Sequence, residues 1–287
     1  KRAKSFDEMS NIKKETIELL KQDFYFNDIK IVTKEEDELV KKYLFELSDG
    51  NKIEAVLMEH DYGKSICVSS QIGCNMGCAF CASGELNKIR NLTIGEMVLQ
   101  VLMVQRDLDS NFQRVSNIVV MGIGEPFDNY DNVMDFINII NDAYALAIGI
   151  RHITVSTSGI VPKIKEFAKE GLGVNLAISL HAPNNEIRNK IMKINKAYDI
   201  NELIESVKEY LKLTNRRVTF EYIMLKDIND TDECAKELAN LLKGINCYVN
   251  IIPYNETNNI GFKRSLSSQI TKFCGILKEN NINVTIR

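Results

Sequence analysis

Short runs of β-branched residues alternate with longer amphipathic segments over most of the chain. The first of these segments opens with Thr93 and Glu96, the pair of a capping box, and carries its apolar residues on one helical face. Six strands, each followed by such a segment, are expected at 65–70, 117–121, 152–156, 174–179, 218–224 and 248–253. This alternation predicts an α/β fold in which helices pack against a parallel sheet. Six units favour a partial (βα)6 barrel of the TIM type, with a flat doubly wound sheet as the alternative.

The first 63 residues follow other patterns. The first twenty residues are typical of the end of a helical segment, whereas residues 29–59 contain three alternating runs separated by the turn-forming sequences "KEED" and "DGN". We therefore expect a remnant of an N-terminal helical accessory domain (1–28), a small antiparallel β-meander (29–63) and the barrel core (64–287). Because the chain begins with Lys1, we expect it to be trimmed at this end.

Composition and net charge limit the classes of protein to which this chain can belong. The chain has 287 residues, of which 45% are hydrophobic and 26% charged, and this is enough to bury one large core or two modest ones. No apolar run approaches the roughly 20 residues of a membrane helix, and no charged-then-apolar leader opens the chain, so we expect a cytoplasmic protein. The net charge of -3 argues against a uniformly basic surface but allows a local basic face.

The segment "CVSSQIGCNMGCAFCAS" holds four of the seven cysteines. An odd number of crowded cysteines is unlike a secreted disulfide framework. Cys74, Cys78 and Cys81 form C-x3-C-x2-C, and a zinc site would need a second close pair or histidines at ligand spacing, which the sequence lacks. Three thiolates at this spacing can hold a [4Fe-4S] cluster and leave one iron open to S-adenosylmethionine (SAM). A loop of free cysteines is the alternative.

Polar and glycine residues recur where the predicted strands end, in "MGIGEP", "STSG", "SLHAPN" and "PYN". In a (βα) barrel these positions share one rim, which is where catalytic groups lie. Taken singly, a tight turn explains Gly124, and helix capping explains Ser156 and Ser179. An ordinary loop histidine explains His181. Together the four segments favour a ligand site in which Glu125 is available to a ligand ammonium.

Five stretches resemble the RlmN/Cfr family of radical SAM RNA methyltransferases: "CVSSQIGCNMGCAFCAS", "MGIGEPFDNYDNV", "STSGIVP", "AISLHAPNNEIRNKIMKIN" and "VNIIPYNETN". The similarity extends over nearly the whole chain, and "GEPFDNYDNV" and "HAPNNEIR" resemble the RlmN branch more than the Cfr branch. The resemblance implies a radical SAM barrel that methylates carbon 2 of adenine 2503 in 23S rRNA and of adenine 37 in tRNA. Methylation of carbon 8 of the same rRNA adenine, the Cfr reaction of antibiotic resistance, is the nearest alternative.

The resemblance also implies roles for individual residues. Cys74, Cys78 and Cys81 would ligate the [4Fe-4S] cluster. SAM would be held by Gly124, Glu125, Ser156, Ser179, Leu180, His181 and Asn255. Cys67 matches the cysteine that resolves a protein–RNA adduct through a transient disulfide, and Glu54 matches the proton acceptor. The implied partners are 23S rRNA, tRNA and an electron donor such as flavodoxin or ferredoxin.

The methyl-carrying cysteine of the family lies beyond the "VTIR" strand, where this chain ends at Arg287. We expect a trimmed tail and, without it, no complete turnover. Cys274 falls in the apolar stripe of the last helix and is interpreted as core, as Cys234 and Cys247 are interpreted as structural. If the carrier is absent, a non-catalytic iron–sulfur RNA-binding protein is an alternative. A radical enzyme acting on a protein or a small molecule is another.

Basic residues follow or flank the predicted rim and are candidates for RNA phosphate contacts. They are Arg188, Lys190, Lys193, Lys196, Arg216, Arg217, Lys263 and Arg264. Such contacts would position an RNA whose target base is turned out of its stack. A solvated charged face is the alternative.

Overall fold

The computed structural model describes residue 3 and residues 5–26, 29–256 and 261–287. Residues 1, 2, 4, 27 and 28 of the predicted helical segment lie outside these ranges. So do residues 257 and 258 of the "VNIIPYNETN" motif.

The described residues contain α-helices and β-strands in alternation. The helices are α1 (Lys14–Asp23), α2 (Ile94–Asp109), α3 (Tyr130–Asn141), α4 (Val161–Lys169), α5 (Asn185–Ile191), α6 (Ile200–Thr214), α7 (Asp232–Leu241) and α8 (Ser267–Glu279). The strands are β1 (Lys30–Glu36), β2 (Val40–Glu46), β3 (Lys52–His60), β4 (Gly63–Cys67), β5 (Gln71–Ile72), β6 (Arg90–Asn91), β7 (Val115–Val120), β8 (Ile153–Thr157), β9 (Asn175–Ser179), β10 (Val218–Met224), β11 (Cys247–Pro253) and β12 (Asn283–Ile286).

The chain divides into two compact units. The first comprises Lys1–Ile72, Asn91–Ile123 and Asp131–Ile153. The second comprises Gly73–Arg90, Gly124–Tyr130 and Thr154–Arg287.

In the first unit the strands lie in the order β1-β2-β3-β4-β7. The pairs from β1 to β4 are antiparallel, which confirms the predicted meander, and β4 pairs with β7 in parallel. Ile53, Ala55 and Leu57 of β3 alternate with half-exposed residues and are buried, because successive side chains of a strand point to opposite faces. The meander therefore has one face in the core and one face open.

Helix α2 begins as the sequence predicts. The Thr93 hydroxyl accepts the Glu96 N–H at 3.3 Å, and the Glu96 carboxylate accepts the Thr93 N–H at 2.8 Å. This reciprocal pair satisfies two backbone donors that the first helical turn leaves without partners.

In the second unit β8, β9, β10, β11 and β12 follow one another in space, and every pair is parallel. Leu176 and Tyr222 are buried on the face that the helices cover, where the Tyr222 ring lies 5.3 Å from that of Phe273 in α8. Ser179 and Glu221, which pair across β9 and β10, therefore project from the opposite face. Because all five strands run in one direction, the loops that follow them meet at one edge, here called the carboxyl edge.

The seven cysteines are all described, and none is in a disulfide. Cys234, Cys247 and Cys274 are buried, Cys274 within the stripe of Ile270 and Phe273, in agreement with the core role that the sequence predicts for it. None of the described helices is long and apolar enough to span a membrane.

Candidate active site

Cys74, Cys78 and Cys81 lie half-buried in one loop of the second unit, directly after β5. The Cys81 N–H donates to the Cys78 carbonyl at 3.2 Å, which closes a turn between two of the cysteines. The Ala79 N–H donates to the carbonyl of Ile191, the last residue of α5, at 2.9 Å. The loop is thus held by its own backbone and by the end of α5.

Burial and neighbouring negative charges raise the pKa of two of these thiols, Cys74 and Cys78. Burial, together with the negative charges of Cys81 and Cys74, raises the pKa of the Cys78 thiol to about 12. Burial also raises the pKa of Cys74, to which the charges of Glu125 and Cys81 contribute. Holding all three as thiolates therefore requires a positively charged group among them.

His181 connects this loop to β10. Its ring lies edge-on to Phe80 with the centroids 4.8 Å apart, and its Nδ1 accepts the Ile223 N–H at 3.1 Å. The backbone of His181 has φ +56°, in the left-handed region, and its carbonyl accepts the Asn229 side-chain amide at 2.8 Å. Burial lowers the pKa of His181 to about 3, so the imidazole is neutral at physiological pH.

Glu125 is buried and begins the 3-10 turn of residues 126–129. Its two carboxylate oxygens accept the Phe127 N–H at 3.0 Å and the Ser158 N–H at 2.7 Å. Burial raises the pKa of Glu125, and the hydrogen bond from Ser158 opposes the rise. Gly124 has φ +108°, which favours glycine at this turn. The side chain of Thr157 also hydrogen-bonds to this carboxylate.

The other predicted SAM residues lie at or near the carboxyl edge. Ser156 is near the end of β8, and Ser179 ends β9. The Leu180 side chain is fully buried, so this residue can offer a ligand only its backbone, and its N–H already donates to the Glu221 carbonyl at 3.1 Å. Asn255 is exposed two residues beyond β11.

Glu54 and Cys67 lie in the first unit. Val56 pairs with Cys67 across β3 and β4, which places Glu54 and Cys67 on the same face of the sheet, opposite Ile53 and Ala55. The Lys42 ammonium lies 2.7 Å from the Glu54 carboxylate, and this bond raises the pKa of Lys42.

Two predictions about the basic residues are wrong. Arg188 is fully buried and cannot contact RNA phosphates, because buried carbonyl and amide oxygens bind its guanidinium. Arg216 and Arg217 precede β10 and lie at the amino end of the parallel strands, so they do not share the carboxyl edge. Lys193 and Lys196, which follow α5, are exposed.

Residues 68–242 match the Radical SAM superfamily. The chain is 56% identical over 293 residues to a Listeria welshimeri protein named "Probable dual-specificity RNA methyltransferase RlmN", covering 100% of this chain and 80% of the relative. It is 54% identical over 284 residues to a Spiroplasma citri protein of the same name, covering 99% and 82%. The chain belongs to the RlmN family of radical SAM RNA methyltransferases.

A solved structure agrees with this membership in the RlmN family. A radical SAM methyltransferase from Sphaerobacter thermophilus matches with a TM-score of 0.95 and 41% identity, covering 99% of this chain and 84% of that one. The radical SAM α/β fold that the sequence predicts is confirmed.

The RlmN family implies a [4Fe-4S] cluster and SAM. Among the described residues, no group of three or more His, Cys, Asp and Glu side chains gathers as a single bound ion requires. A cluster does not require this, since each thiolate binds a different iron. The irons of a bound cluster would supply the positive charge that three neighbouring thiolates need. The cysteine loop therefore fits the cluster in its donor chemistry.

Three residues that shape this site escape prediction from the sequence: Arg188, Asn195 and Asn229. The Asn229 side chain donates to the carbonyls of His181 and Ile223 and accepts the Leu225 N–H, which joins two loops. An asparagine after a strand is typical of any turn, so no local signal distinguishes it.

Proposed function

We propose that this protein methylates carbon 2 of adenine 2503 in 23S rRNA and of adenine 37 in tRNA, through a methyl-cysteine carrier and a transient protein–RNA adduct. The observation that carries the proposal is the composition of the second unit. It combines a half-buried loop of three cysteines with a buried glutamate and the ends of parallel strands. Membership in the RlmN family supports the class of reaction.

In this proposal Cys74, Cys78 and Cys81 hold the cluster. Glu125 accepts the ammonium of SAM, while Gly124, Ser156, Asn255 and residues 179–181 complete the cofactor site. When bound, the cluster and SAM together supply the radical chemistry that activates a methyl hydrogen. The burial of Glu125 strengthens its attraction for an ammonium, because water does not screen the pair.

Glu54 and Cys67 would act after the new carbon–carbon bond forms. The Glu54 carboxylate accepts the proton that leaves the adenine ring. The Cys67 thiolate would attack the carrier sulfur, so that a disulfide forms as the sulfur–carbon bond to the base breaks, and the released carbon takes up a proton to become the methyl group. Their common position on one sheet face supports a shared role.

We also propose the partners of the protein and its location in the cell. The basic residues near the carboxyl edge, among them Lys193 and Lys263, contact RNA phosphates, and flavodoxin or ferredoxin supplies the electron. Residues 1–28 belong to a helical accessory domain, and the protein works in the cytoplasm.

Nucleoside mass spectrometry tests the proposal. Full-length protein reconstituted without oxygen should bind about four irons and convert adenosine in 23S rRNA and tRNA fragments to 2-methyladenosine. Cys78→Ala should lose both iron and product, whereas Cys234→Ala, which changes a buried cysteine of α7, should keep both. 8-Methyladenosine would contradict the carbon assignment. Stoichiometric zinc with no uptake of iron would contradict the cluster.

A further inference from the structure

Arg188 occupies an unusual position for a charged side chain. It lies in the middle of α5 and is 0% exposed. Arginine is almost never fully buried unless it is paired, because removing the charge from water costs free energy. Burial lowers the pKa of Arg188 only to about 10, so the buried group is a cation at neutral pH.

The guanidinium has four hydrogen-bond acceptors. Nε donates to the Leu180 carbonyl at 3.2 Å, and Nη1 donates to the Asn195 side-chain oxygen at 2.9 Å. Nη2 donates to the Ser158 carbonyl at 2.6 Å and to the Ser179 carbonyl at 3.3 Å. Three of the four acceptors are backbone carbonyls directly beyond or at the ends of β8 and β9. One planar group thus joins two strand ends.

Both strand ends carry residues of the proposed SAM site. Ser158, whose carbonyl binds Arg188, gives its N–H to the Glu125 carboxylate at 2.7 Å. Ser179 and Leu180 belong to that site themselves. The position of Glu125 relative to the 179–181 backbone therefore depends on the guanidinium between them.

The guanidinium is itself held in one orientation. The side-chain amide of Asn195 donates to Asn185 and to Asn189, both at 2.9 Å, which fixes the oxygen that binds Nη1. On the other side, a Cβ at Gly159 would lie 3.3 Å from Nη2, so the backbone passes close over the guanidinium. Gly159 has φ +113°, a conformation that favours glycine.

We propose that Arg188 is a positioning residue that sets the spacing between Glu125 and the 179–181 backbone, and through that spacing the affinity for SAM. It acts through these groups and does not touch the cofactor. The inference rests on the proposed function, since it assumes that SAM binds at these strand ends.

Two substitutions distinguish the contribution of the hydrogen-bond geometry of the Arg188 guanidinium from that of its positive charge. Arg188→Lys keeps the charge, but an ammonium lacks the planar fork that reaches carbonyls in several directions. Arg188→Met keeps much of the side-chain length and leaves the carbonyls without a donor. In protein with equal iron content, we expect the Kd of SAM, measured by anaerobic equilibrium dialysis, to rise about tenfold in Arg188→Met. In Arg188→Lys it should rise by a smaller factor.

Lys190→Met is the matched control. Lys190 lies in the same helix, but its side chain is 64% exposed and pairs with Glu186 at 2.8 Å. Its removal should leave the Kd unchanged. Thermal unfolding of every variant is measured alongside.

An unchanged Kd with a lower melting temperature in Arg188→Met would overturn the inference, because the arginine would then serve stability alone. If Arg188→Met does not fold, Arg188→Lys decides, and a Kd equal to that of the unsubstituted protein overturns the inference. Failure of the unsubstituted, iron-loaded protein to bind SAM would instead reject the proposed function.

Discussion

Glu54 and Cys67 are brought together by strand register. Val56 faces Cys67 across the antiparallel pair of β3 and β4, and Glu54 is the next residue of β3 on that face. The buried residues of β3 point the other way, into the core of the first unit. On the other face the Lys42 ammonium lies 2.7 Å from the Glu54 carboxylate. In the proposed function RNA would approach this sheet face, where the Glu54 side chain is 40% exposed and Cys67 is half-buried.

Removal of the Cys67 thiol should separate bond formation from product release. In Cys67→Ala the cysteine loop and the residues around Glu125 are unchanged, so methylation of the base should proceed to the adduct. Without a thiol to attack the carrier sulfur, the adduct should accumulate. A denaturing gel should show it as a shifted protein band that RNase removes.

Cys247→Ala is the control for this variant, because Cys247 is buried at the start of β11. It should give no shifted band. Normal turnover by Cys67→Ala without any trapped species would show that Cys67 is a strand residue without a role in release.

Among the helices, α2 shows how two side chains define an element's start. Thr93 and Glu96 exchange hydrogen bonds with each other's backbone N–H groups, and Glu96 is itself buried. Loss of a capping hydroxyl typically costs about 1 kcal/mol, because a backbone donor loses its partner. Thr93 and Gly95 of this turn are exposed, so water can partly replace the lost acceptor.

Thr93→Ala should therefore lower the free energy of unfolding by about 1 kcal/mol, measured by urea denaturation. Thr93→Ser retains a hydroxyl that can accept the same bond, so it should be much less destabilised. Equal destabilisation of both variants would show that the Thr93 methyl group, and not the cap, stabilises the helix. Iron content should be the same in all three proteins, since the cysteine loop does not depend on this cap.

The elements were more predictable from sequence than their contacts. β10 lies at 218–224 as predicted, and the ends of the other five expected strands fall within three residues of their predicted positions. β-Branched runs between turn residues are local signals that survive folding. The antiparallel pairing of β4 with β3 has no such signal, because a single strand can pair on both edges.

The candidate site likewise has some features that the sequence predicts and others that it does not. The cysteine spacing and the polar strand ends are visible in the sequence, but the burial of Arg188 is not. In the sequence, Arg188 stands close to Lys190 and Lys193, and a charged residue among other charged residues is typical of a surface. Its acceptors are the carbonyls of residues 158, 179 and 180 and the side chain of Asn195, and only the fold assembles them.

For RNA binding by the molecule as a whole, we expect the position of the basic residues to matter more than their number. The net charge is -3, so affinity for RNA cannot come from an overall positive charge. Lys193 and Lys196 follow α5 near the carboxyl edge of the second unit. The Lys193 side chain lies over the cysteine loop, where a Cβ at Gly77 would come within 2.9 Å of its Cδ. Lys212 and Arg217 are also exposed but lie on the sequence leading into β10, at the opposite end of the strands.

Substitution of each of these two pairs distinguishes the effect of net charge on RNA binding from the effect of where the charges lie. The double variant Lys193→Ala/Lys196→Ala should weaken RNA binding and flatten the dependence of log K on log salt by about 0.7 for each phosphate that the protein no longer neutralises. The variant Lys212→Ala/Arg217→Ala removes the same number of charges, yet it should leave the slope unchanged. Fluorescence anisotropy with a labelled RNA hairpin, over a series of salt concentrations, measures both. If the two variants weaken binding equally, net charge governs the association and the carboxyl edge is not the RNA-binding surface.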